Sequence, residues 1–272
     1  MTLVEPCCGT AALTLHLLGA RRQIVPRQGS KWRWRRELAD QVGSVPSRVI
    51  LSDASPWALV VRELLAGDRR TVMAHLRCLV SHGERDPRHC YASLHGQPVP
   101  SDVARMSAEL LWLQRMAFAG KCVRVVDGRW SAPGLSLTSA LGVAATDKFG
   151  EVRPLGRSLL EAVAALPRFP DVEANVGLAQ PRAIPGWVVV YLDPPYAGTT
   201  GYGPTLTRDE VVDLARRWAA TGAAVLISES EAVHELGWPA RQLGRVGEQR
   251  PTQLFKAAHR GEWLTSSPQG PA

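Results

Sequence analysis

The sequence predicts a doubly wound α/β sheet, and three short stretches carry that expectation. Residues 3–5, 49–53 and 187–193 each run apolar and then stop at an acid: Glu5, Asp53 and Asp193. The first two of these acids are followed by small or polar residues and then a helix-like pattern. Strands that alternate with helices and end in polar turns argue for a layered α/β sheet with ligands at the carboxyl ends of its strands.

The elements follow in order. Leu3-Val4-Glu5 reads as a short strand, residues 6–12 as a small-residue turn, and Leu13, Leu17 and Leu18 as one side of a helix. Val49 to Leu51 is strand-like with Asp53 at its end; Pro56 suits the first turn of a helix that Gly67 closes. The stretch "WVVVYLDPPY" is a continuous valine-rich run, the pattern of a parallel strand covered on both faces. Thr207 and Glu210 form a capping box that opens a helix to about Thr221, with Gly222 as its stop, and "AAVLIS" is another buried strand. Residues from about 68 to 185 break this rhythm with mixed helical stretches and many arginines, and read as an insertion or second lobe rather than more sheet.

The chain has 272 residues, 45% of them hydrophobic, enough for one substantial core carrying a large insertion. Its formal charge is +7, and Lys31, Lys121, Lys148 and Lys256 are the only lysines among 32 basic residues. Arginine suits phosphate and base-edge contacts, although an Ala- and Arg-rich composition produces a modest positive charge without any nucleic-acid partner. Five cysteines, odd in number and without CxxC spacing, point away from a disulfide framework and toward a reducing cytoplasm. No run reaches transmembrane length and no basic-then-apolar leader opens the chain, so no membrane association is expected. His75, Cys78, His82, His89, Cys90 and His95 are possible zinc ligands, but their spacings match no finger or ribbon, and no metal is expected.

The stretch Asp193-Pro194-Pro195-Tyr196 has a chemistry of its own. The prolines offer no amide hydrogen and fix φ, so the carbonyls of Asp193 and Pro194 are held rigidly beside the Asp193 carboxylate, a cluster of acceptors only. A planar amino group on an aromatic ring offers two donors to such a cluster, and Tyr196 adds a flat face for the ring. At the first strand end, small residues let a ligand approach backbone amides, and an acid such as Asp53 at the second can hold ribose hydroxyls.

These residues resemble the Dam-like, α-group DNA adenine-N6 methyltransferases, whose catalytic motif is DPPY. "VEPCCGTAAL" is similar to the family's turn for S-adenosyl-L-methionine (AdoMet), with Cys7 in place of a phenylalanine and Ala11 in place of the second glycine. "SAELLWLQRMAFAGKCVRVVDGRWSAPG" is similar to the family's DNA-recognition stretch, with Phe118, Gly120, Gly128, Trp130 and Pro133 at the family spacing. "PRQGSKWRWRREL" resembles its P-x-x-G-G-K segment, although here it follows the AdoMet turn instead of preceding it.

The resemblance implies a Rossmann-like AdoMet-dependent methyltransferase sheet formed by residues 1–67 and 185–272, with residues 68–184 as an inserted, largely helical target-recognition lobe. It implies Asp193, Pro194, Pro195 and Tyr196 as the catalytic set, acting on a flipped adenine. Cofactor contacts fall to Glu5, Pro6, Cys7, Gly9, Ala11, Lys31, Asp53 and Asp193, and contacts to double-stranded DNA to Lys121, Arg124, Arg129 and Tyr196. A methyltransferase acting on cytosine N4 or on RNA, and a catalytically silent DNA-binding relative, are the alternatives.

Overall fold

In the computed structural model, the residues described are 1–9, 11–20, 42–117, 123–135, 155–194, 206–245 and 261–268. Nine strands are found among them: β1 (Thr2–Glu5), β2 (Arg48–Asp53), β3 (Arg124–Val126), β4 (Arg129–Ser131), β5 (Val172–Val176), β6 (Val188–Leu192), β7 (Ala224–Glu229), β8 (Ala240–Arg245) and β9 (Gly261–Ser266). The helices among them are α1 (Ala12–Leu17), α2 (Trp57–Leu65), α3 (Arg69–Arg85), α4 (Pro87–Leu94), α5 (Val103–Met116), α6 (Leu155–Ala164) and α7 (Arg208–Ala220).

Seven strands form one sheet in the order β5-β2-β1-β6-β7-β9-β8. β1 pairs in parallel with β2 on one side and β6 on the other, so Val4 lies level with both Ile50 and Val190. β2–β5 and β6–β7 are also parallel, whereas β9 runs antiparallel between β7 and β8. The sheet is therefore α/β, mostly parallel, and compatible with a Rossmann-like fold. The order reverses between β1 and β6, and the crevice outside such a reversal is where open α/β sheets receive ligands.

Apolar side chains cover both faces, as the unbroken valine run of β6 requires. Val4, Ile50, Val190, Val225 and Ile227 pack under α7, whose Val211, Leu214, Ala215 and Trp218 point inward. Leu3, Val189, Tyr191 and Leu226 face the other way with Leu13 of α1, while Val49 and Leu51 join the core of α2, α3 and α5. Each such fully buried side chain contributes roughly 1.5–3 kcal/mol.

α7 begins as its sequence dictates. Thr207 accepts from the Glu210 amide, the Glu210 carboxylate accepts from the Thr207 amide at 2.7 Å, and Gly222 follows at φ 86°.

The stretch expected as an insertion differs in one respect: residues 172–176 are β5, an edge strand of the main sheet paired with β2. Its pattern is half-exposed and includes Glu173 and Asn175, which conceals it among polar residues. The helices between β2 and β5 share one continuous core with the sheet. Within it, α3 and α5 approach closely at Gly83, where an added Cβ would overlap the Trp112 ring. The guanidinium of Arg69 clamps the return toward β5, donating to the carbonyls of Leu64, Leu166 and Pro167 at 2.6–2.7 Å.

Candidate functional site

Because β1, β2 and β6 are parallel and adjacent, their carboxyl ends bring residues 5–9, 53 and 193–194 to one rim of the sheet. The turn after β1 is tied to β2. Cys8 donates its amide to the Ser52 carbonyl at 3.0 Å, and the Ser52 hydroxyl donates to the Pro6 carbonyl at 3.0 Å. The same Ser52 oxygen accepts from the Ala179 amide at 2.7 Å, which draws the segment after β5 to the rim.

Gly9, at φ 46°, donates its amide to Asp53 Oδ2 at 2.8 Å. The other carboxylate oxygen of Asp53 accepts from the Ser55 amide at 2.9 Å and the Ser55 hydroxyl at 2.5 Å. Asp53 is thus a latch that fixes the Gly9 turn across 44 residues of sequence. Among the described residues, nothing lies within 4 Å of where a Cβ on Gly9 would stand, so none of them blocks approach to the turn's backbone from that side.

Glu5 is 2% exposed, and its Oε1 accepts from the Thr14 amide at 2.9 Å and from the Thr14 hydroxyl. It anchors the first turn of α1, where an anion is also favoured by the helix dipole. Ala11 caps that helix in the left-handed region, φ 47° and ψ 49°, with its methyl wholly buried in the core.

On the far side of the reversal, Asp193 is half-buried and Pro194 buried at the end of β6. Cys7 links the two sides. Its thiol is pushed up to about 12 by burial first, and then by the charges of Asp53 and Asp193. A thiol in that position stays protonated at neutral pH and is a poor nucleophile. Cys8 is likewise held well above its usual range, by burial and then by Asp53 and Glu5.

Of the residues expected at this site, Glu5, Pro6, Cys7, Gly9, Ala11, Asp53, Asp193 and Pro194 gather at the rim or its supporting turn. Lys31, Pro195, Tyr196 and Lys121 lie outside the described residues. Ser52 is a rim residue that the sequence does not single out; its only signal is a small hydroxyl residue immediately before a strand-ending acid.

Arg124 and Arg129 belong to a separate hairpin, β3–β4. Asp127 and Gly128 both have positive φ, 49° and 69°, as the two central residues of a type I′ turn require. Val125 and Val126 are exposed, while Trp130 is buried and donates its indole N–H to Glu109 of α5 at 2.8 Å. Arg129 donates to the Gly96 carbonyl at 2.9 Å.

Among the described residues, no group of three His, Cys, Asp or Glu side chains could hold a metal, and no helix is long and apolar enough to cross a membrane. No protein-family model and no curated protein matches the chain.

Proposed function

We propose that the protein is a DNA adenine-N6 methyltransferase that takes its methyl group from S-adenosyl-L-methionine and acts on double-stranded DNA. One observation carries this reading: Asp193 and Pro194 end the strand across the reversal from the Gly9 turn, with Cys7 beside both Asp53 and Asp193. The residues present fit the methyl donor. Two carboxylates around a thiol kept neutral suit a sulfonium cation, and no described residue closes off the backbone at Gly9. When bound, AdoMet supplies an electrophilic methyl group.

The chain's own part is to position and polarise the acceptor. Asp193 and the Pro194 carbonyl accept the two hydrogens of the exocyclic amine, which directs its nitrogen lone pair out of conjugation with the ring. Pro194 and Pro195 contribute no N–H to compete for those acceptors. Tyr196 provides the face against which the flipped base stacks. The proton released from the amine passes to the Asp193 carboxylate and on to water. No covalent enzyme intermediate is required, in keeping with the protonated Cys7.

Incubation with labelled AdoMet and mixed-sequence duplex DNA, followed by digestion to nucleosides, tests the reading. Label in N6-methyl-2′-deoxyadenosine is expected. Label in N4-methyl-2′-deoxycytidine, more label in RNA than in DNA when a parallel incubation with RNA is run, or no transfer while AdoMet binds would each overturn it.

A further inference from the structure

Among the described residues, two sets of exposed arginines stand in contrast. On α7, Arg217 meets Asp213 at 2.9 Å, Arg208 meets Glu235 at 3.1 Å, and Arg216 donates to the Glu235 carbonyl at 2.7 Å. Beyond α7, Arg182 and Arg48 share Glu173, and Arg157 meets Glu84. Apart from Arg216, each of these cations is paired with a carboxylate.

The outer face of α3 and α4 is different. Arg70, Ala74, Arg77, Ser81 and Arg85 are exposed, and their spacing puts them on one side of α3; Arg88 is exposed at the start of α4. Successive arginines along α3 are about 10–12 Å apart at 1.5 Å of rise per residue. Among the described residues no carboxylate bridges Arg77, Arg85 or Arg88.

The acids nearest them are already engaged. Asp68 caps α3 by accepting from Thr71, Glu84 holds Arg157, and Asp86 caps α4 by accepting from the His89 amide. Small Ala74 and Ser81 between the cations leave room for a polymer backbone to lie close.

The end of α4 is tied to the hairpin. The Tyr91 hydroxyl donates to the Pro133 carbonyl, the Ala132 amide donates to His95 Nδ1 at 3.2 Å, and the Gly96 amide donates to the Trp130 carbonyl at 2.8 Å. α3 is fixed to the same unit by the Gly83–Trp112 contact.

We infer that Arg77, Arg85 and Arg88 form a sequence-independent clamp for the phosphodiester backbone of duplex DNA, extending the contact surface from the hairpin along α3. The inference rests on the proposed function for the identity of the polyanion. Arginine makes bidentate contacts to phosphate, and each neutralised phosphate contributes about −0.9 to the slope of log affinity against log salt.

The test is fluorescence anisotropy on two duplexes of unrelated sequence, from about 50 to 200 mM salt, where such slopes are well determined. The wild type is compared with the combined variant Arg77→Ala, Arg85→Ala, Arg88→Ala, and with Arg182→Ala and Arg217→Ala as locally paired controls. The combined variant is expected to lose about 2–3 from the slope on both duplexes, each single variant about 1, and the controls nothing. Thermal melts within about 2 °C of the wild type exclude a folding effect.

An unchanged slope, a loss confined to one sequence, or equal losses in the controls would overturn the clamp. So would a wild type that binds no duplex. If the clamp behaves as expected while no methylated base forms, the proposed function falls and the clamp stands.

Discussion

β1 and β6 are neighbours, run the same way and end at the same rim, yet their terminal acids are used differently. Glu5 is buried and holds α1 through Thr14. Asp193 is half-buried at the end of β6. An acid at a strand end is therefore not one kind of object. Glu5, like Asp193, precedes a proline, Pro6, but the chain then turns into α1 and brings the Thr14 groups back to its carboxylate nine residues on. Asp53 is intermediate, with both its oxygens occupied by the Gly9 turn and Ser55 while it remains half-buried at the rim.

Substitutions sharpen this contrast. The largest effect is expected at Asp193→Ala, which should lower methyl transfer by at least about 10³-fold while DNA binding persists and the melting temperature moves by less than about 4 °C. Label-transfer assays and thermal melts read both quantities; wild-type turnover in this variant would erase the distinction.

Glu5→Ala should do the reverse, costing about 3 kcal/mol in urea unfolding because the Thr14 groups lose their acceptor in a buried setting. Turnover per folded molecule should stay near that of the wild type. If the variant unfolds at the wild-type midpoint, Glu5 is not the anchor described above.

Asp53→Ala combines the two, at about 2 kcal/mol of stability and about tenfold in AdoMet affinity by calorimetry, since the Gly9 turn loses its latch. Stability lost without any change in affinity would place Asp53 with Glu5.

The smallest signal belongs to Cys7. With its pKa near 12, only about 10⁻⁴ of the thiol is ionised at pH 8, so iodoacetamide should modify exposed Cys78 first. The Cys7 rate should climb about tenfold per pH unit until that value is reached. Peptide mass spectrometry distinguishes the two cysteines; early labelling of Cys7 contradicts the environment assigned to it.

Much of this rim is legible in the sequence because its signals are local. The acids at positions 5, 53 and 193 each close an apolar run, and the Thr207–Glu210 box fixes the start of α7 within a single turn. The remainder depends on partners distant along the chain. The Asp53–Gly9 bond and the Ser52 bridges to Pro6 and Ala179 join residues 44, 46 and 127 apart. β5 is concealed because an edge strand need not be uniformly apolar. The β3–β4 turn is within reach, since Asp127-Gly128 between short β-prone stretches is a hairpin signal in its own right. The reversal of β9 leaves no mark in its residues, because direction is a property of the pairing and not of the strand's own pattern.

That reversal bears on how the protein can be synthesised. β9 comes after β8 in the chain but sits inside it, between β7 and β8. Until residues 261–268 leave the ribosome, the outer side of β7 has no neighbour and β8 has nowhere to dock. The late segment then closes several contacts at once: Ser267 donates its amide to the Val225 carbonyl and accepts the Val225 amide on Oγ, while Thr265 accepts from Val233. A ribosome stalled before Gly261 would hold a nascent chain in which β7 is an open sheet edge, a form exposed to aggregation.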